Sequence, residues 1–301
     1  MNAIEIKEMT KQYGNKKAVD NLNLTVPAGA IYGFIGENGS GKSTTEKLIC
    51  GLIHPQKGSI RIYGKDHTDP TVRAGIGVLI EEPGCYPGMS VYGNLMLHAA
   101  TLGIRNPEAE IGRVLKLVHM EGAASNKFKN CSLGMKQRIG IALALMGNPK
   151  LLVLDEPING LDADGMRIMR EVLTDVTKNS DCTVLISSHI LGELEKIATH
   201  YGIIRKGKLL KEMTAGEMDA DCPTYIALRV HEQEKAYRIL SAKYTRVEID
   251  DDSQLRVYDF TTPEEVLNTL YANCVTVCEI KTDKINLEEY YLDLMHGTEE
   301  Q

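Results

Sequence analysis

The chain has 301 residues and a formal net charge of −7, which allows a domain of ordinary size and a smaller companion. That acidic balance, with no basic stripe, disfavours a general nucleic-acid binder, so no nucleic-acid partner is expected. With no signal-like apolar core at its start, no run of about 18 apolar residues and an odd seven cysteines, the chain reads as soluble and cytoplasmic.

Residues 1–28 and 57–64 read as short strands of a small antiparallel sheet, punctuated by Pro27-Ala28-Gly29 and Gly58. Residues 30–35 form a short apolar run that predicts a buried strand, and 43–51 predict the first turns of a helix. Between them lies Gly36-Glu37-Asn38-Gly39-Ser40-Gly41-Lys42-Ser43-Thr44, which matches G-x-x-x-x-G-K-[ST] from Gly36 to Ser43. Strand, glycine loop and helix together aim backbone N–H groups at an anion. Gly36, Gly39 and Gly41 let the backbone wrap phosphates without a Cβ in the way. Lys42 is placed to reach the β- and γ-phosphates and the Ser43 hydroxyl to bind Mg²⁺, with Asn38, Ser40 and Thr44 completing the cradle. A chance glycine turn would not carry the full pattern in this setting, so the chain is expected to bind a nucleoside triphosphate.

A strand is predicted at 76–80, followed by Glu81-Glu82-Pro83-Gly84. Apolar periodicity from 91 to about 130 predicts helices, including 94–102 and 109–118. Tyr86, Met89 and Tyr92 read either as an exposed apolar contact patch or as ordinary interior packing. Cys131-Ser132-Leu133-Gly134-Met135-Lys136-Gln137-Arg138 precedes an apolar helical run, with Ser132 as the candidate N-cap and Gly134 leaving the backbone uncrowded. This helix start is a second anion site, and two phosphate sites per chain suggest that they meet across two chains.

Leu151-Leu152-Val153-Leu154-Asp155-Glu156-Pro157 is an apolar strand ending in adjacent carboxylates. At the carboxyl edge of a parallel sheet that is where a ligand sits. Asp155 is the Mg²⁺-side group, and Glu156 is placed to orient or deprotonate an attacking water. Thr183-Val184-Leu185-Ile186-Ser187-Ser188-His189 is another strand, and a neutral His189 imidazole there could join the γ-phosphate to that water.

After about Ala215 the pattern changes. Strands are predicted at 225–230, 246–249, 254–258 and 274–280, and helices at 234–242 and 264–273. This βαββαβ order suggests a ferredoxin-like appendage. Asp250-Asp251-Asp252-Ser253 reads as a solvated hairpin turn rather than a cation site. Cys274 and Cys278 should share one face of the last strand, with no second ligand pair at zinc spacing. Residues 286–292 form an amphipathic helical end.

In order, segment 36–44, segment 131–138, strand 151–156, Gly160-Leu161-Asp162 and His189 resemble the Walker A, signature, Walker B, D-loop and switch motifs of ABC transporter nucleotide-binding subunits. The resemblance spans about residues 3–215. It implies an α/β P-loop NTPase fold for 1–215: a RecA-like core, an antiparallel β subdomain and a helical subdomain near 90–135, followed by a small α+β extension at 216–301. It further implies ATP and Mg²⁺ as cofactors, Tyr13 stacking on adenine, and Leu161 and Asp162 at a dimer contact. Two copies would close head to tail, with Lys42, Ser43 and Asp155 of one facing Ser132 and Gly134 of the other.

Two departures matter. The signature has Leu133 at a tolerant position and Met135 where a glutamine is usual. Glu81 stands where most relatives place the glutamine that ligates Mg²⁺ or its water, and a carboxylate can fill that role. The segments Leu79-Ile80-Glu81-Glu82-Pro83 and 132–138 are similar to one branch, the exporters that give lantibiotic self-protection or bacitracin resistance. That branch implies separate membrane permeases, an antimicrobial peptide cargo and a place on the inner membrane face through the permease. A peptide-sensing complex and a non-transport ABC ATPase stay open as alternatives.

Overall fold

The computed structural model describes residues 1–250 and 253–297, which fall into two compact units, Met1–Ala215 and Gly216–Gln301. The first unit opens with β1 (Asn2–Tyr13), β2 (Lys16–Pro27), β3 (Ile31–Ile35), α1 (Lys42–Ile49), β4 (Lys57–Ile62) and β5 (Lys65–Asp66). It continues through α2 (Pro70–Arg73), β6 (Ile76–Leu79), α3 (Val91–Thr101), α4 (Pro107–Leu117) and α5 (Leu133–Leu145). Next come β7 (Leu151–Asp155), α6 (Ala163–Ser180), β8 (Thr183–Ser187), α7 (Leu191–Leu194), β9 (His200–Arg205) and β10 (Lys208–Thr214).

One sheet, in the order β2-β1-β4-β5, is antiparallel throughout. The other runs β10-β9-β3-β8-β7-β6 and is parallel except for β10. Every residue of β3, β7 and β8 is buried. Central parallel strands are covered on both faces, which is why they read as unbroken apolar runs rather than alternating patterns. Apolar residues of both sheets and of α1 share one core, including Ile4, Leu22, Leu24, Phe34, Leu48, Val153 and Leu185.

Sheet register then fixes the site. Ser187 of β8 lies opposite Phe34 of β3 on one side and Asp155 of β7 on the other. The loops leaving these three strands therefore open at one carboxyl edge, the usual ligand edge of such sheets. Between β6 and β7 the helices start on local caps. The Ser90 hydroxyl accepts from Gly93 N at 2.9 Å, and the Asn106 side chain accepts from Ala109 N at 3.3 Å ahead of Pro107.

After α8 (Ala215–Asp221), the second unit contains β11 (Thr224–Val230), α9 (Gln233–Ser241), β12 (Val247–Ile249), β13 (Leu255–Val257), α10 (Pro263–Ala272), β14 (Val277–Lys284) and α11 (Leu287–Gly297). Its strands are antiparallel in the order β12-β13-β11-β14, a split βαβ arrangement. Ile226, Leu228, Ala236, Leu240, Val257, Val266 and Leu270 form its core. Of the acidic turn, Asp251 and Asp252 lie outside the described residues; the Asp250 carboxylate accepts from Gln254 N at 2.8 Å.

The last strand departs from the sequence expectation. It begins at Val277, because 273–275 close α10 instead. Cys274 has φ +54, its N–H donates to Tyr271 O at 3.0 Å, and Val275 N donates to Leu270 O at 3.1 Å. That is a Schellman closure, with Val275 buried against Leu270, so Cys274 sits in a turn rather than on a strand face with Cys278. Among the described residues no helix is long and apolar enough to cross a membrane.

Candidate nucleotide-binding site

β3 delivers the chain into the glycine loop, and α1 begins at Lys42 with no side chain capping it. Its first N–H groups therefore remain available to an anion. Two glycines are fixed by close approach. A Cβ on Gly36 would lie 2.5 Å from Ile204 O, and one on Gly41 would lie 2.5 Å from Ala18 O. Lys42 is only 6% exposed; its Nζ donates to Gly36 O at 2.6 Å and stands 3.9 Å from Glu156 Oε1.

From β7, Asp155 is buried and accepts from the Ser187 hydroxyl at 2.8 Å. Glu156 follows at φ +48, with its N–H donating to the Ser187 hydroxyl at 3.1 Å. Its Oε2 contacts His189 Nδ1 at 2.6 Å and accepts from His189 N at 3.2 Å. The two residues read as catalytic thus touch each other.

A cavity of about 350 Å³ is lined by Tyr13, Asn38, Gly39, Gly41, Lys42, Ser43, Thr44, Asp155 and Glu156, all singled out in the sequence. Lys16 and Ala18 also line it, and no sequence signal marked them; the β1–β2 hairpin carries them there. Tyr13 is 51% exposed with Lys11 Nζ 5.3 Å from its ring centroid, leaving a ring face for stacking. Gly36 and Ser40 lie outside the lining; Ser40 is buried, and its carbonyl accepts from Gly207 N at 2.8 Å.

The remaining predicted residues lie outside this cavity. Ser132 caps α5, its hydroxyl accepting from Met135 N at 3.3 Å, and it is exposed. Leu133 and Leu161 interlock the signature and D-loop segments. A Cβ on Gly160 would meet Leu133 Cδ2 at 2.4 Å, and one on Gly134 would meet Leu161 Cδ2 at 3.4 Å. The Asp162 carboxylate caps α6 by accepting from Gly165 N at 2.9 Å. Glu81, at φ +64, accepts from Lys47 Nζ at 2.6 Å rather than lining the cavity.

One acid went unread in the sequence. Glu46 on α1 is fully buried beside Asp155, and burial first, then the Asp155 charge, push its carboxyl well above the usual carboxylate range. Around the cavity, Ser43 and Asp155 offer hydroxyl and carboxylate oxygens, and no group of three or more His, Cys, Asp or Glu among the described residues is placed to hold a metal ion by itself. That donor set fits Mg²⁺, which takes one or two carboxylates and completes its shell with phosphate and water.

Known proteins share this build. The ABC transporter family model matches residues 19–159. The bacitracin transport ATP-binding protein BcrA of Bacillus licheniformis is 38% identical over 299 residues, covering 98% of this chain and 97% of that one. The lantibiotic transport ATP-binding protein SrtF of Streptococcus pyogenes is 40% identical over 209 residues, covering 69% of this chain and 90% of its own. Among solved structures, an ATP-binding subunit of an ABC transporter superposes with a TM-score of 0.66 at 29% identity, covering 73% of this chain and 92% of its own. A dimeric ATP-binding cassette bound to ADP and Pi, 23% identical, shares the fold at a TM-score of 0.66, covering 70% of this chain and 98% of its own. With a phosphate loop, a paired carboxylate and a histidine assembled at one sheet edge, and with relatives matched along nearly its whole length, the chain belongs to the ATP-hydrolysing ATP-binding subunits of the ABC transporter family.

Proposed function

We propose that two copies of this chain clasp ATP head to tail, and that their closing and opening drives a separate membrane permease exporting peptide antibiotics of the bacitracin or lantibiotic kind. One observation carries the paired reading. Lys42, Asp155 and Glu156 line one cavity, with His189 bonded to Glu156, whereas Ser132 and Gly134 at the start of α5 stay outside it. A chain built this way holds two half-sites rather than one whole site. The cargo class follows the names of the relatives, bacitracin transport and lantibiotic transport.

Each group then has a task. Lys42 and the loop N–H groups neutralise phosphate charge, and Glu156, steadied by His189, orients the attacking water and receives its proton. The α5 start of the second copy, with Ser132 and Gly134, supplies further hydrogen bonds and dipole to the γ-phosphate. Ser43 and Asp155, with Glu81 from its loop, would hold Mg²⁺, whose charge screens the phosphates.

A cleft of about 570 Å³ between β6, the Glu81 loop, α3 and α5 is lined by Ile80, Pro83, Tyr86, Leu97, Leu102 and Leu143. Tyr86 is 60% exposed there. A groove that mixes these apolar walls with polar groups such as Asn94 and His98 suits a short amphipathic helix of the permease, which would hold the chain on the inner membrane face.

The test is resistance. Co-expressed with its membrane subunits in a sensitive bacterium, the wild-type chain should raise the inhibitory concentration of bacitracin or of a lantibiotic, and Glu156→Gln should abolish the gain. Intact ATP hydrolysis with unchanged sensitivity to both peptide classes would overturn the export reading.

A further inference from the structure

Glu81 departs from its family's glutamine, and the structure gives the extra charge a partner. Its backbone lies at φ +64, a region seldom adopted by residues with side chains, and its Oε1 accepts from Lys47 Nζ at 2.6 Å. Lys47 belongs to α1, the helix whose first turn carries Lys42 and Ser43. Just past Glu81, Glu82, Pro83 and Tyr86 line the cleft beside α3 and α5. One ion pair therefore ties the wall of the cleft to the helix of the nucleotide site. A glutamine at 81 would offer only a singly charged hydrogen bond with no Coulombic attraction between two ions.

We propose that Lys47 is a positioning residue that holds the Glu81 carboxylate against α1 and competes with the divalent cation for it. Entry of Glu81 into the oxygen shell of the metal then requires release from Lys47, and that release moves the loop bordering the cleft. The pair is partly open to solvent, with Lys47 32% and Glu81 68% exposed, so the hold is weak enough to be broken in each cycle. The contact also raises the Lys47 ammonium above its ordinary range, so it stays charged throughout the physiological span.

The inference rests on the reading of Glu81 as a metal-side carboxylate, and one experiment separates the two. Mg²⁺ is titrated calorimetrically into the full chain saturated with a non-hydrolysable ATP analogue, for wild type, Lys47→Met, Lys47→Arg, Glu81→Gln and the double variant Lys47→Met/Glu81→Gln. Lys47→Met should tighten Mg²⁺ by about two- to five-fold, the span open to an exposed pair. Lys47→Arg should match wild type, Glu81→Gln should weaken Mg²⁺, and adding Lys47→Met to Glu81→Gln should change nothing further.

A gain from Lys47→Met that persists in the Glu81→Gln background would mean that the ammonium acts through its general field, and the competition is overturned. Weaker Mg²⁺ binding in Glu81→Gln without any gain in Lys47→Met overturns the Lys47 proposal alone. Unchanged Mg²⁺ affinity in Glu81→Gln overturns the metal role of Glu81, and the proposal with it. A Lys47→Met chain that melts earlier while its Mg²⁺ curve stays put has lost only a structural contact, which also overturns the proposal.

Discussion

Glu156 and His189 are bonded side chain to side chain, Oε2 to Nδ1 at 2.6 Å, although they leave different strands 33 residues apart. The other oxygen of Glu156 faces Lys42 at 3.9 Å. The carboxylate is thereby held at both ends, between the buried Lys42 ammonium and the imidazole of His189. Ser187 braces the arrangement, donating its hydroxyl to Asp155 and accepting the Glu156 N–H.

Glu156→Gln keeps this shape and removes the basic oxygen. Nucleotide binding should survive while turnover falls by about 10²- to 10⁴-fold, the usual worth of a positioned general base. With ATP bound and not hydrolysed, the variant should elute as a dimer in size-exclusion chromatography. A strictly monomeric Glu156→Gln chain in saturating ATP would contradict the paired site.

Lys42→Ala should abolish nucleotide binding in a fluorescence titration. The ammonium is buried and oriented by Gly36 O at 2.6 Å, so its charge is fixed on the loop before phosphate arrives. Removing it also deprives Glu156 of its nearest cation. Wild-type affinity in this variant would contradict the role of the loop.

Two glycines of the loop should fail for different reasons. Gly36→Ala forces a Cβ to 2.5 Å from Ile204 O and 2.6 Å from Ser40 Oγ, so the backbone of β9 or the loop must move. A loss of about 1–3 kcal/mol follows from such overpacking. Gly39→Ala meets nothing within 4 Å, yet its φ of +80 costs an alanine about 1–2 kcal/mol. Thermal melts should show both losses, and a shorter side chain elsewhere, such as Ile204→Ala, should not rescue Gly39→Ala.

The nucleotide loop was legible because its constraint is local: glycine spacing and Lys42 stand within one short segment. Central strands β3, β7 and β8 were legible because burial on both faces leaves only apolar residues. Strand β9 buries only the short run 201–204, broken by Gly202 and bounded by polar His200 and Arg205, and β10 is an edge strand with alternating exposure, so neither gave a comparable run. Lys16 and Ala18 reach the cavity only through the long hairpin, a relation that no local pattern encodes. Cys274 was placed on a strand because its apolar neighbours alternate, whereas the helix closure at Val275 took precedence. Glu46 was missed because a glutamate in a helix ordinarily faces water, and only the packing of α1 on β7 shows that this one does not.

That buried acid gives the last prediction. Glu46 is fully buried, and its folded carboxyl holds its proton well above the range in which the unfolded chain releases it. Below the ordinary carboxyl range both states are protonated and the titration of Glu46 contributes nothing to the pH dependence. As pH rises beyond that range the unfolded chain sheds its proton freely while the folded chain keeps it, so the folded state binds more protons and stability falls with pH. The slope is about 1.4 kcal/mol per pH unit until the folded group itself ionises. Glu46→Gln cannot titrate, so denaturant melts taken as pH rises beyond the ordinary carboxyl range should lose that slope relative to wild type. Glu46→Leu should be more stable than wild type at the alkaline end, because an apolar side chain of similar size carries no desolvation penalty. Equal slopes for wild type and Glu46→Gln would mean that the acid ionises in the folded chain as readily as in the unfolded one.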